Sequence, residues 1–163
     1  MLGQFYCYKR EYDKGLTEGE RAVALNPSGA DVHAYYAIIL TFAGRPEEAI
    51  PMFQKAIRLN PFGPGWYYLN FGIALQNNGR FEEAVSAYKK VLQLSPDSIF
   101  AHLGLVETYS MMGREKDARA EAAEILRLNP KFSVDYLART LSVYKDQSVK
   151  DNMIDALRKA GLK

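Results

Sequence analysis

The sequence is poor in the residue types on which chemistry usually depends. It holds a single cysteine, Cys7, and only two histidines, His33 and His102. One cysteine excludes a disulfide within the chain. Charge of one sign is also lacking, since 21 basic against 19 acidic residues leave a formal net charge of +2. So small a surplus gives no electrostatic reason to expect nucleic acid or an anionic membrane as partner. No apolar run reaches bilayer-spanning length, and Met1-Leu2-Gly3-Gln4-Phe5-Tyr6-Cys7-Tyr8 lacks the basic head and long apolar centre of a signal peptide. The expectation is a soluble, cytoplasmic chain. No Gly-rich phosphate loop, Gly-x-Ser-x-Gly elbow, Cys-x-x-Cys pair or His-Glu-x-x-His motif is present. Neither catalytic residues, a metal site nor a cofactor is expected.

What the sequence does contain is a repeat. Asn26-Pro27, Asn60-Pro61, Ser95-Pro96 and Asn129-Pro130 set prolines at spacings of 34, 35 and 34. Gly44, Gly79 and Gly113 keep the same phase, as do Ala49, Ala84 and Ala118. The extra residue falls in Pro61-Phe62-Gly63-Pro64-Gly65, where a loop absorbs it. A period of this length is the signature of a solenoid.

Each unit reads as two helices. Residues 30–43 and 46–59 are of helical length, and apolar residues recur at spacings of three and four, which is helical and not strand-like. The glycine between them suits the left-handed residue that ends a helix. Pro46 suits the first turn of the next, and Asn60 before Pro61 ends it. Ser28 with Asp31, and Ser148 with Asp151, have the spacing of capping boxes. Small residues (Ala49, Ala84, Ala118, Gly72) alternate with large ones (Tyr36, Leu40, Phe53, Phe71, Leu75, Tyr88, Leu105, Tyr109), as close helix packing needs. Pro51, inside a second helix, should bend it.

Phe81-Glu82-Glu83-Ala84-Val85-Ser86-Ala87-Tyr88 and Pro46-Glu47-Glu48-Ala49-Ile50-Pro51-Met52-Phe53 resemble the tetratricopeptide repeat. That family places Gly at the inter-helix turn, Ala-x-x-x-Phe/Tyr-x-x-Ala in the second helix and Pro at its end. The resemblance implies an all-α, right-handed superhelical solenoid of antiparallel helix hairpins with C-terminal capping helices. Residues 1–130 would form the array, with a partial repeat over 1–27 and full repeats over about 30–61, 65–96 and 99–130. Residues 131–163 would form the capping helices. The third repeat departs from the pattern, with Ala122 where an aromatic is expected, and Gly15 and Gly19 weaken the first. More repeats or another domain are expected before Met1. Asn129-Pro130-Lys131-Phe132-Ser133, Tyr144-Lys145-Asp146 and Ala156-Leu157-Arg158-Lys159-Ala160-Gly161-Leu162 resemble the C-termini of bacterial arrays that follow an adenylate/guanylate cyclase or winged-helix domain. Asn60-Pro61-Phe62-Gly63-Pro64-Gly65-Trp66-Tyr67-Tyr68 is similar to the same group.

The polar residues read structurally. His33 and His102 occupy the same place two repeats apart and cannot share a metal. Glu47-Glu48, Glu82-Glu83 and Glu115 lie in first turns, where negative charge complements the helix dipole. Asp155 and Lys159 stand at i,i+4.

In the resembled family the first helices line a concave groove that takes extended or helical peptides. That register assigns Asp31, Ala34, Ile38, Thr41 and Phe42 to the groove. The next repeat gives Trp66, Leu69, Ile73, Gln76 and Asn77, and the last Phe100, Leu103, Glu107, Ser110 and Met111. Ile38, Thr41, Phe42, Trp66, Leu69, Ile73, Asn77, Phe100, Leu103, Glu107 and Met111 are the candidate partner-binding residues. None of the segments 30–43, 65–78 or 99–112 contains Lys or Arg. The family's carboxylate clamp for acidic peptide ends is therefore absent, and nucleic acid is disfavoured. The expected function is a non-catalytic scaffold or regulatory module binding an apolar or aromatic protein segment. Two alternatives are homo-oligomerisation through an N-terminal face around Leu2, Phe5 and Tyr6, and regulation in cis of an upstream cyclase or transcription-regulator domain.

Overall fold

Each Pro-to-Pro unit closes into a hairpin because its stop signals are local. The computed structural model describes residues 9–140 and 144–163. Among these residues the chain forms helices α1 (Tyr12–Leu25), α2 (Ala30–Phe42), α3 (Pro46–Leu59), α4 (Gly65–Asn77) and α5 (Phe81–Leu94), followed by α6 (Ile99–Met111), α7 (Glu115–Leu128), α8 (Val134–Thr140) and α9 (Gln147–Lys159). Leu2, Phe5 and Tyr6, and with them the expected homotypic face, lie outside the described residues.

The three inter-helix turns are built alike. Gly44, Gly79 and Gly113 take φ of 80°, 75° and 71°, a region closed to most side-chain-bearing residues. Gly44 N–H donates to the Thr41 carbonyl at 3.1 Å and Arg45 N–H to Leu40 at 2.9 Å. This Schellman pairing satisfies carbonyls that a helix end leaves orphaned. It recurs as Gly79 to Gln76 and Arg80 to Leu75, and as Gly113 to Ser110 and Arg114 to Tyr109. Pro46 sits in the first turn of α3, and α3 runs unbroken through Pro51.

Two capping expectations are corrected. Ser28 does not cap α2. The turn closes earlier, with Gly29 N–H donating to the Asn26 carbonyl at 3.1 Å, and Gly29 becomes the N-cap. At α9 the cap is Asp146, whose Oδ1 accepts from Ser148 N–H at 2.9 Å. A carboxylate two residues upstream outcompetes the Ser148–Asp151 box, since it is the stronger acceptor at a helix N-terminus. In the same region Arg158 finds Asp135 of α8, at 3.0 Å.

Composition explains which helices lie inside. α3, α5 and α7 carry one apolar stripe and a charged outer face, whereas α2, α4 and α6 are apolar nearly all round, which demands cover on both sides. The first helices of successive repeats, α2 to α4 and α4 to α6, touch one another, while the second helices make no comparable contact. The array therefore curves with its first helices on the inner face. Phe53, Tyr67, Leu75, Tyr88, Leu105 and Ile125 fill the layer between first and second helices and are fully buried.

Candidate functional site: the face of the first helices

The inner face divides into two halves along α2, α4 and α6. At the N-terminal ends the helices are tied side to side. Tyr67 Oη of α4 donates to Asp31 Oδ1 of α2. Burial and this carboxylate push the Tyr67 phenol up to about 12. Trp66 stacks on Tyr35, with ring centroids 4.9 Å apart and planes at 24°, and meets Tyr67 edge-on at 4.5 Å. Trp66, Leu69 and Ile73 are half-buried, while Phe100 at the start of α6 is 65% exposed. Among the described residues this half is aromatic and uncovered.

At the C-terminal ends the face is occupied by the chain itself. Lys145 N–H donates to the Phe42 carbonyl at 3.0 Å. The ring of Tyr144 meets Phe42 edge-on, centroids 5.1 Å apart and planes at 82°. Arg10 Nη2 donates to the Lys145 carbonyl at 3.4 Å. From there α9 packs on α6, burying Ile154, Ala156 and Leu157. The C-terminus returns to the start of α8, where Val134 N–H donates to the Lys163 carbonyl at 2.7 Å. The expected cap does more than cover the last hairpin. Its leading residue reaches across to the first full repeat.

A polar cluster lies under this covered half. Gln76 Oε1 accepts from Thr108 Oγ1 at 2.6 Å and from Tyr88 Oη at 3.2 Å, and Gln76, Thr108 and Tyr88 are all buried. Beside them Glu107 is 7% exposed. Burial drives its carboxyl up to about 7, against a smaller opposing effect of the Gln76 amide. Burial first, and the Glu107 charge second, raise the Tyr144 phenol above its ordinary value.

The sequence-derived groove set is thus split. Ile38, Thr41, Leu103 and Glu107 are buried and present no free surface; Thr41 Oγ1 donates to the Ala37 carbonyl at 2.8 Å. Phe42, Trp66, Leu69, Ile73 and Asn77 are half-buried, and Phe100 and Met111 are exposed. Sequence reasoning placed Gln76 on the groove but missed Tyr35 and Tyr144. One signal pointed to them: α6 has almost no polar face of its own, so something had to lie on it.

The histidines do not meet. His33 Nε2 lies 2.8 Å from the Pro27 carbonyl and His102 Nδ1 2.6 Å from Glu121 Oε2. First-turn acids find partners in a repeated device: Arg45 with Glu48, Arg80 with Glu83 and Arg114 with Asp117, at 2.5, 2.7 and 2.8 Å. Among the described residues no group of three or more His, Cys, Asp or Glu converges on a metal position, and no helix is long and apolar enough to cross a membrane.

Two models of the tetratricopeptide repeat match the chain, over residues 1–64 and 75–140. The chain belongs to this repeat family, whose arrays serve generally as protein–protein interaction scaffolds. Among solved structures it is similar to MamA (MSR-1), with 26% identity, a TM-score of 0.69 and coverage of 80% of this chain and 74% of that one. A second MamA (AMB-1) gives 27%, 0.70, 80% and 77%. PilW, a widely conserved type IV pilus biogenesis factor, shares the fold at 22% identity, with a TM-score of 0.77 over 97% of this chain and 71% of its own. No curated protein sequence matches.

Proposed function

We propose that the protein is a non-catalytic scaffold that takes an apolar or aromatic segment of a partner protein onto the face of its first helices. The carrying observation is Phe100, 65% exposed at the edge of the uncovered half that holds Trp66 and Leu69, on helices free of Lys and Arg. Exposed aromatics on a rigid repeat face are the usual anchors of recognition. Each such side chain contributes roughly 1.5–3 kcal/mol when fully buried, so two or three support a useful affinity. First helices without Lys or Arg offer no side-chain cation to phosphates or to acidic peptide ends.

Panning a displayed peptide library against the full chain tests this. Enriched peptides should carry aromatic or aliphatic anchors and lose at least about tenfold in affinity for Trp66→Ala and Phe100→Ala, with the helical circular dichroism unchanged. Enrichment of acidic or basic peptides, or affinity indifferent to both substitutions, would sink the reading.

A further inference from the structure

The covered half of the inner face is filled by a C-terminal segment that buries Ile154 and Leu157 but meets a floor that is in part polar. That floor holds Gln76, Thr108 and the Glu107 carboxyl. These groups satisfy one another, Gln76 accepting from Thr108 and Tyr88, so the floor does not depend on the segment above it for hydrogen bonds. A cleft of about 360 Å³, open to solvent, runs beside Tyr144 between Phe42, Asn77, Asp146 and Val149. Among the described residues the leading end of the segment meets α2 through the Lys145–Phe42 backbone hydrogen bond and the edge-on Tyr144–Phe42 ring contact, with Tyr144 buried there.

The segment also has the form of a ligand. Tyr144 stands three residues ahead of α9, whose apolar residues Val149, Met153, Ile154 and Leu157 share one face, with charge on the other. An amphipathic helix laid on a helical groove is a standard recognition mode. We propose that residues 144–159 are a resident pseudo-ligand of the inner face, an aromatic-headed amphipathic helix that an incoming partner segment of the same chemistry displaces. Tethering gives the resident helix an effective concentration of roughly millimolar, so a partner must bind well above that threshold or first engage the uncovered half at Trp66 and Phe100. This inference rests on the inner face being the partner-binding face.

The test uses a fluorescein-labelled peptide copying residues 144–161, titrated into the full chain and followed by anisotropy. Wild type should take it up weakly, and Tyr144→Ala/Leu157→Ala at least about tenfold more tightly, because its own helix no longer competes. Equal uptake by both, or none by a double variant that keeps its helical spectrum, overturns the proposal. Should the double variant lose its fold, amide hydrogen exchange on wild type with and without the peptide decides. Peptide that speeds exchange in α9 while α6 stays protected supports displacement; α9 exchange unmoved by saturating peptide overturns it. The two readings fail separately. Peptide exchange that persists while Trp66→Ala and Phe100→Ala leave library peptides untouched removes the partner site and spares the resident helix. The reverse result removes only the resident helix.

Discussion

Tyr88 lies so close against Gly104 that a Cβ on that glycine would stand 2.4 Å from the ring's Cζ. Gly72 admits the same ring from α4, where a Cβ would fall 2.6 Å from Cε1. One tyrosine is thus wedged between two first helices. Gly104→Ala must move a fully buried ring whose hydroxyl is bonded to Gln76. Overpacking of this kind costs about 1–3 kcal/mol. The urea midpoint should fall accordingly, and Tyr88→Leu in the Gly104→Ala background should recover part of the loss. An unchanged midpoint for Gly104→Ala would contradict the wedge.

The three arginines at the second-helix N-caps look alike in sequence but differ in surroundings. Arg45, Arg80 and Arg114 each pair with an acid three residues on, and all three pairs are exposed. Among the described residues, Arg114 alone of the three also lies on an aromatic face, with its guanidinium carbon 4.6 Å from the centroid of Tyr109. Screening removes most of an exposed ion pair and spares a contact with a ring more. In 1 M salt Arg80→Ala should be nearly silent in a thermal melt, while Arg114→Ala still lowers Tm by a few degrees. Equal shifts at high salt would show that the Tyr109 contact contributes nothing.

Much of the repeat was legible because its signals are local. A glycine in the left-handed region, a proline in a first turn and a proline after the helix each act within a few residues, and Gly44, Pro46 and Pro61 mark the turns and helix ends they were expected to mark. Caps were less legible, because Asn26 and Asp146 compete with Ser28 and Ser148 for neighbouring backbone groups and the sequence does not rank them. The site was legible only in part. A family register assigns positions to the inner face, but it cannot say that a segment from residue 144 onward returns to lie there. That contact joins Phe42 to Tyr144 across about 100 residues and has no local signal. Ile38, Leu103 and Glu107 are buried for reasons that sit elsewhere in the chain.

Glu107 should give the stability an unusual pH slope. Its folded carboxyl titrates at about 7, raised from an ordinary 4.5 by burial. Tyr88 of α5 and Tyr144 ahead of α9 are the titratable groups that feel it, and Gln76 of α4 bonds it. The folded state thus binds the proton more tightly than the unfolded chain. Stability is fully present below about pH 4.5, declines between 4.5 and 7, and levels off above. The loss is on the order of 3 kcal/mol. Glu48 and Glu83, held low by Arg45 and Arg80, act in the opposite sense and only below their unfolded range. Urea midpoints at pH 5 and pH 8 should therefore favour pH 5 in wild type. Glu107→Gln, neutral throughout, should narrow that difference and raise the pH 8 midpoint. Parallel profiles for the two proteins would place the Glu107 carboxylate in contact with water.

The contact between Phe42 and Tyr144 is the measurable link between the first full repeat and the C-terminal helix. Edge-on aromatic pairs contribute about 0.5–1.5 kcal/mol beyond the area they bury. A double-mutant cycle with Phe42→Leu and Tyr144→Leu should return a coupling of that size, read from equilibrium unfolding. Leucine keeps each site apolar, so the cycle isolates the ring pairing from simple loss of volume. The same cycle performed on Trp66 and Tyr144 should give a coupling near zero, since Trp66 stacks on Tyr35 in the uncovered half. A Phe42–Tyr144 coupling indistinguishable from that control would mean that Tyr144 does not rest on the first repeat in solution. The inner face beside α2 would then be open at Phe42, while α9 would still cover α6 through Ile154 and Leu157.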